Sequence, residues 1–219
     1  MPGVGDGFSS RLEQRDAPQS GAWIALMYGG LGALGATLAE ASGHSPVLTN
    51  AWIGLGSFAA PTSLGLGAVV ALVTIRTTPL LAKVGWARTL HADLRPITHG
   101  LRDGPILLMA LASGIGEELF FRGWLAPFAG VLLSSIAFGV LHQVRGRARW
   151  AWALWATLMG VAFATIYELT GSLLGPIASH VAINFANLRY LRDHDPKTTP
   201  RSLGGLLAHR EIRSERSWD

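Results

Sequence analysis

Apolar residues gather in six stretches along this chain, separated by polar or glycine-rich connections. The stretches are Ala22–Ala39, Leu64–Leu81, Pro105–Phe121, Leu125–Leu141, Trp150–Leu169 and Leu173–Leu191. Each is close to the roughly 20 residues that an α-helix needs to cross a bilayer. Because backbone groups must be satisfied internally within lipid, the pattern predicts an all-α, polytopic membrane bundle of about six transmembrane helices.

Basic residues predict how this bundle is oriented. They occur before the first stretch, between the second and third, between the fourth and fifth, and after the sixth, whereas Glu40–Ser63 and Thr170–Ser172 contain no Lys or Arg. Cytoplasmic loops of membrane proteins are enriched in Lys and Arg. Both termini are therefore predicted to be cytoplasmic. Arg122, in the short connection predicted after the third stretch, is the exception to this pattern.

The same pattern divides the chain into four parts. Residues 1–20 are polar and predict a flexible N-terminal segment, and residues 192–219 predict a flexible cytoplasmic tail. Residues 21–104 contain the first two membrane helices and a stretch, Trp86–His99, that is too charged to span and predicts an amphipathic surface helix. Residues 105–191 contain the other four stretches and the candidate chemistry described below.

Composition supports the membrane assignment. Only 15% of the residues are charged, against about 25% in a typical soluble domain. The net charge of +4 does not predict nucleic-acid binding, because the basic residues follow the loops and form no cluster. The absence of cysteine excludes disulfides and thiolate metal sites. We expect an integral protein of the bilayer, in a bacterial inner membrane, with its oligomeric state undetermined.

The third apolar stretch ends with three ionisable residues. Glu117 and Glu118 are adjacent, and Arg122 lies four residues after Glu118. Residues at i and i+4 share a helix face, so Glu118 and Arg122 can form an ion pair while Glu117 points about 100° away. One carboxylate can thus be structural and its neighbour a general base. The alternative is an end-of-helix ion pair beside a solvated glutamate.

Two further stretches carry polar groups among apolar residues. His142 follows the fourth stretch, and the sixth contains His180 and Asn184, which share a face at i, i+4 spacing. Asn187 can extend that face. His142 alone is more typical of an interfacial histidine than of a ligand, and His180 with Asn184 is equally consistent with hydrogen bonding between helices.

Considered together, these groups predict one buried site. Each is costly against lipid, so all should face the interior, where they can satisfy one another. A carboxylate, two imidazoles and an amide suffice to activate water and stabilise an oxyanion. Glu117, His142 and His180 could alternatively bind Zn²⁺ with open positions. The sequence around Glu117 has no H-E-x-x-H pattern, so the metal-free reaction is the preferred hypothesis.

At these residues the chain resembles the CAAX-protease and bacteriocin-processing (CPBP, or Abi) family of intramembrane endopeptidases. The family motifs EExxxR, FxxxH and HxxxN correspond to Glu117–Arg122, Phe138–His142 and His180–Asn184. The resemblance implies a catalytic core over residues 105–191. It further implies hydrolysis of a peptide bond in a membrane protein or peptide.

The resemblance also implies a role for each residue. Glu117 would activate the water, and His142 would bind and orient it. His180 and Asn184 would stabilise the oxyanion. Glu118 and Arg122 would hold their helix in place, with Glu118 able to assist directly.

Two other functions are compatible with the same residues. Buried carboxylates and histidines also build proton relays, so a transporter is one alternative. An immunity-type protein that binds a membrane peptide without cleaving it is the other.

Overall fold

The chain forms a bundle of α-helices that covers all six apolar stretches. The computed structural model describes residues 6–144 and 146–196, with side chains described from residue 23 onward. The helices are α1 (Asp6–Ala41), α2 (Ala59–Leu81), α3 (Gly85–Thr98), α4 (Asp103–Glu118), α5 (Ala126–Leu141), α6 (Arg149–Thr170) and α7 (Leu174–Asp193). A 3₁₀ turn, Gly56–Phe58, precedes α2, and a π-helical segment, Leu119–Leu125, joins α4 to α5. Because the described residues contain no strand, the predicted all-α class is confirmed.

Among the residues that the structure describes, four helical segments are long and apolar enough to cross a membrane. They are Trp23–Ala41, Gly56–Leu81, Asp103–Leu141 and Arg149–Thr170. The third has 39 residues, about twice what one span requires, and contains two of the predicted stretches. The 20-residue α7 is long enough to span, but the polar side chains of its site lower its hydropathy. The protein is therefore an integral membrane helical bundle, as predicted.

The long third segment bends at Gly130, and this corrects the predicted boundary after Phe121. Gly130 has φ 80° and ψ 166°, a backbone conformation that residues with a Cβ rarely adopt. The preceding helix therefore continues through the π-helical segment to about residue 129. Arg122 lies inside that helix and is only 1% exposed. The apparent exception to the charge rule disappears, because Arg122 is not a loop residue.

The two connections without Lys or Arg lie on the same side of the bundle. Leu48, between α1 and α2, forms an isolated β-bridge with Ser172, between α6 and α7. The Thr49 amide donates to the Gly171 carbonyl at 3.1 Å, and the Leu173 amide donates to the Val47 carbonyl at 3.1 Å. The absence of Lys and Arg from both connections predicts that they lie on one side of the membrane, and these contacts agree with that prediction. Which side is cytoplasmic stays a prediction.

Small residues bring the membrane helices into close contact. A Cβ added at Gly67 of α2 would meet the backbone of Gly175 in α7, and one at Gly114 of α4 would meet Val181 in α7. Beside the first contact, Ser63 donates to the Ser172 carbonyl at 2.7 Å and accepts from the Gly175 amide at 3.0 Å. Membrane helices associate through such small residues and hydrogen bonds. These contacts hold α2 and α4 against α7, which carries His180 and Asn184.

The predicted surface stretch Trp86–His99 corresponds closely to α3. This helix is attached to the end of α7, because His91 Nε2 lies 2.8 Å from the His194 carbonyl and 3.3 Å from the Leu191 carbonyl. Arg192 donates to Asp103 Oδ1 at 2.6 Å and to the Leu101 carbonyl at 3.2 Å. The α3 helix and the start of α4 therefore surround the C-terminal end of α7.

At both ends of the chain, helices extend into the segments that were predicted to be flexible, and the flexibility itself stays a prediction. The backbone is helical from Asp6, so residues 6–20 extend α1, in keeping with the helix-forming Leu12, Glu13 and Gln14. At the other end, α7 continues to Asp193, and the contacts of Arg192 hold it there. Residues 1–5 and 197–219 of the predicted flexible segments lie outside the described residues.

Candidate active site

Glu118 and Arg122 form a buried ion pair at the end of α4. Arg122 Nη1 donates to Glu118 Oε1 at 2.8 Å, and the two side chains are 0% and 1% exposed. Arg122 Nη2 donates to the Gly160 carbonyl of α6 at 3.3 Å. The guanidinium carbon also lies 4.3 Å from the centre of the Phe138 ring, an arrangement suited to cation–π attraction. The pair joins α4 to α5 and α6.

A π-helical segment begins directly after Glu118. It spans Leu119–Leu125 and contains Arg122. Such widened turns are rare and often occur at functional sites. Here the widened helix still places Arg122 against Glu118, so the charge pair is kept within the altered geometry.

His180 contacts both glutamates through opposite ring nitrogens. Its Nδ1 lies 2.7 Å from Glu118 Oε1, and its Nε2 lies 3.5 Å from Glu117 Oε2. The ring stacks on Phe163, with centroids 5.3 Å apart and planes 28° apart. If the ring is neutral and Nδ1–H donates to Glu118, the lone pair is on Nε2 and faces Glu117. Glu118 therefore orients His180 as well as pairing with Arg122.

His142 approaches the same oxygen of Glu117 from α5. Its Nδ1 lies 2.8 Å from the Phe138 carbonyl, and its Nε2 lies 3.5 Å from Glu117 Oε2. A carbonyl can only accept, so Nδ1 carries the proton and a neutral His142 also turns its Nε2 lone pair toward Glu117. Two imidazoles from different helices thus point at one carboxylate oxygen.

The two asparagines of α7 have different partners. Asn184 Nδ2 donates to Ser113 Oγ at 2.9 Å, and Ser113 lies one turn before Glu117 on α4. Asn187 Oδ1 accepts from the Thr78 hydroxyl of α2 at 2.9 Å. Asn184 is thereby attached to the helix of the two glutamates, while Asn187 joins α7 to α2.

All six predicted site residues thus lie in one region of the bundle, as the sequence led us to expect. Their positions are observed, whereas their catalytic roles stay predictions. The neighbours that sequence reasoning missed are Phe163, Gly160 and Ser113 as the partner of Asn184. Their signal in the sequence is weak, because a phenylalanine, a glycine and a serine are ordinary residues of membrane helices.

A pocket of about 60 Å³ lies beside the two histidines, and its lining includes His142, His180 and Asn184. Trp152, Trp155 and Asn187 line this pocket and also a second, mainly apolar cavity of about 110 Å³ between α2, α3, α6 and α7. Since these three residues line both cavities, the site lies next to an apolar cavity near the C-terminal end of α7.

The geometry tests whether Glu117, His142 and His180 fit a zinc ion. Each Nε2 atom lies 3.5 Å from Glu117 Oε2, and this distance alone does not exclude a shared ion, because two ligands of one tetrahedral zinc ion are about 3.4 Å apart. Zinc bonds to nitrogen and oxygen measure about 2.0–2.2 Å. Within residues 6–144 and 146–196, no group of three or more His, Cys, Asp or Glu side chains is arranged to hold a metal ion. The metal-free preference stays a prediction.

Fold and site together define an integral membrane protein with a buried glutamate–histidine centre beside a pocket. Residues 104–186 match the family model described as type II CAAX prenyl endopeptidase, Rce1-like. The match covers the three motifs and confirms the family resemblance for this segment.

One curated relative also resembles this segment. It is the uncharacterized protein YpbD of Bacillus subtilis, 30% identical over 79 residues, which are 36% of this chain and 41% of YpbD. The chain thus spans less than half the length of this relative. No solved structure matches the chain at a significant level.

Proposed function

We propose that this protein is an intramembrane endopeptidase in which Glu117 activates a water molecule to hydrolyse a peptide bond. The observation that carries the proposal is the approach of two imidazole Nε2 atoms to the same Glu117 oxygen, at 3.5 Å each. That oxygen is buried and has no hydrogen-bond partner among the described residues. A carboxylate with an open acceptor, next to a pocket, is suited to take a proton from water.

The histidines have separate roles in this mechanism. His142 Nε2 accepts a hydrogen bond from the attacking water and orients it toward the scissile carbonyl. His180 can donate to the developing oxyanion through Nε2 only when both ring nitrogens carry protons. Glu118, at 2.7 Å from His180 Nδ1, stabilises that imidazolium. The role of Glu118 is therefore more direct than holding the helix alone.

Asn184 completes the oxyanion site. One N–H of its amide donates to Ser113, which orients the group and leaves the second N–H for the substrate. A fixed neutral donor of this kind is effective because it needs no reorganisation when negative charge develops.

The reaction balances without a further reactant. The water oxygen forms a bond to the carbonyl carbon as Glu117 takes the proton, and the carbonyl π electrons become the oxyanion. The oxyanion then collapses, the C–N bond breaks, and Glu117 returns the proton to the leaving nitrogen. The products are a carboxylic acid, which keeps the second hydrogen of the water, and an amine; proton transfer between them gives a carboxylate and an ammonium group.

The apolar cavity next to the site favours substrates with an apolar anchor. The matching family is described as a prenyl endopeptidase, and we extend from it only a membrane-associated protein or peptide cut near a hydrophobic group. Trp152 and Trp155 line both cavities, so the anchor can lie in the larger cavity while the scissile bond reaches His142 and His180.

The test compares membrane proteomes of cells that carry wild-type protein, Glu117→Gln or Glu168→Gln. Glu117→Gln keeps the side-chain shape and removes the base, so a precursor should accumulate only in those cells, and purified wild-type protein in proteoliposomes should cleave it. Glu168→Gln is the matched control, because it changes another membrane-helix glutamate outside the site.

Three outcomes would contradict the proposal. They are full cleavage by Glu117→Gln, the absence of any accumulating precursor, and pH-dependent ion flux in proteoliposomes without cleavage. The last outcome would favour the transporter alternative.

A further inference from the structure

The α1 helix packs against α4, the helix that carries Glu117, and it lies outside residues 104–186. It approaches α4 through glycines on both helices. A Cβ added at Gly32 would lie 3.0 Å from Gly116 Cα. One added at Gly35 would meet the backbone of Phe120, and one added at Gly116 would meet the backbone carbonyl of Tyr28. The backbones of α1 and α4 are therefore in direct contact at the residue preceding Glu117.

This contact brings the side chain of Tyr28 to the carboxylate of Glu117. The phenol hydroxyl is placed to donate a hydrogen bond to Glu117, with which it also interacts electrostatically. Tyr28 is only partly buried, and its Cβ lies 3.3 Å from the position that a Gly116 Cβ would occupy. A bulkier residue at position 116 would push the two helices apart and separate the hydroxyl from Glu117.

Glu117 gains from this donor because its other neighbours cannot donate reliably. The nearest atoms of His142 and His180 are Nε2 atoms at 3.5 Å, which carry lone pairs when the rings are neutral. A tyrosine hydroxyl donates whatever the protonation of the histidines. It can therefore hold the carboxylate in one orientation while the imidazoles bind water and substrate.

We propose that Tyr28 is a positioning residue of the active site, whose hydroxyl orients the Glu117 carboxylate toward His142 and His180. The inference rests on the proposed peptidase function and assigns α1 a part in the reaction beyond packing. Since Tyr28 acts through Glu117, it should affect the rate of the chemical step and leave substrate binding unchanged.

The test is Tyr28→Phe, which keeps the ring and removes only the hydroxyl. The matched control is Tyr167→Phe, because the Tyr167 hydroxyl is buried on α6 and has no hydrogen-bond partner among the described side chains. Cleavage of the precursor identified above is measured in proteoliposomes, together with thermal unfolding in detergent. We expect kcat of Tyr28→Phe to fall by about tenfold or more, the effect of losing one hydrogen bond to a charged group. KM should stay at the wild-type value, a cooperative unfolding transition should show that the variant is folded, and Tyr167→Phe should keep the wild-type kcat.

Two results would overturn the inference. Wild-type kcat in Tyr28→Phe would mean that the hydroxyl is not used. A fall in kcat accompanied by a raised KM, or by loss of the cooperative unfolding transition, would assign Tyr28 to packing. The failures can be told apart, because an inactive Glu117→Gln with a fully active Tyr28→Phe contradicts only the role of Tyr28, whereas an active Glu117→Gln contradicts the peptidase mechanism itself.

Discussion

The two adjacent glutamates of α4 lie in contrasting surroundings. Oε1 of Glu118 is 2.8 Å from Arg122 and 2.7 Å from His180, and the side chain is fully buried. Oε2 of Glu117 lies 3.5 Å from two histidine nitrogens; both rings border the pocket, and the His142 side chain is 22% exposed. One carboxylate has its charge compensated directly, and its neighbour does not.

This difference shows how one helix can hold a structural and a chemical carboxylate side by side. Successive residues of an α-helix point about 100° apart, so Glu118 faces α6 and α7 while Glu117 faces the two imidazoles. His180 contacts both, one through each ring nitrogen. It links the closed region around Arg122 to the open region beside the pocket.

The largest effect on stability should follow from breaking the closed region. Arg122→Met removes the partner of Glu118 and leaves a buried carboxylate uncompensated, so the free energy of unfolding should fall by about 3–5 kcal/mol. Unfolding in detergent, followed by circular dichroism, measures this. Glu117→Gln is the comparison and should change stability far less. Equal losses in the two variants would show that the glutamates do not differ in this way.

Substitutions of the two histidines should distinguish effects on stability from effects on activity. His142→Ala and His180→Ala should each lower kcat by about 10²- to 10⁴-fold, as expected when a group acting in proton transfer is removed. Only His180→Ala should also lower the free energy of unfolding, by about 1–3 kcal/mol, because it removes a hydrogen bond to buried Glu118. Cleavage assays and detergent unfolding of the same preparations measure both quantities. A stability loss confined to His142→Ala would reverse the assignment.

The smallest effect concerns the support of Asn184. Ser113→Ala removes the acceptor of the Asn184 amide and should lower the free energy of unfolding by about 0.5–1.5 kcal/mol. It should reduce kcat less than Asn184→Ala does, since the amide itself stays in place. Ser134→Ala is the control, because that hydroxyl donates to the Val131 carbonyl of its own helix at 3.1 Å. An effect of Ser113→Ala on kcat as large as that of Asn184→Ala would mean that Ser113 touches the substrate.

Much of this architecture could be predicted from the sequence. The six apolar stretches all lie in helices, and the polar residues within them meet, because burial in lipid penalises each of them individually. The predicted position of the connection between the third and fourth stretches was wrong. A charged residue close to a tryptophan, as at Arg122 and Trp124, is typical of the edge of a membrane helix. The chain bends instead at Gly130, and the residues around this glycine do not distinguish it from the other glycines of the sequence.

What the sequence alone determined is therefore the class of fold and the identity of the buried polar groups, since both follow from local hydropathy and from the spacing of residues along a helix. Only the tertiary structure decided which partners each of these groups contacts. The contact of His180 with both glutamates, the coverage of Arg122 by Phe138 and Gly160, and the approach of Tyr28 to Glu117 depend on which helix faces touch. Such contacts join residues that are distant along the chain, so no local pattern predicts them.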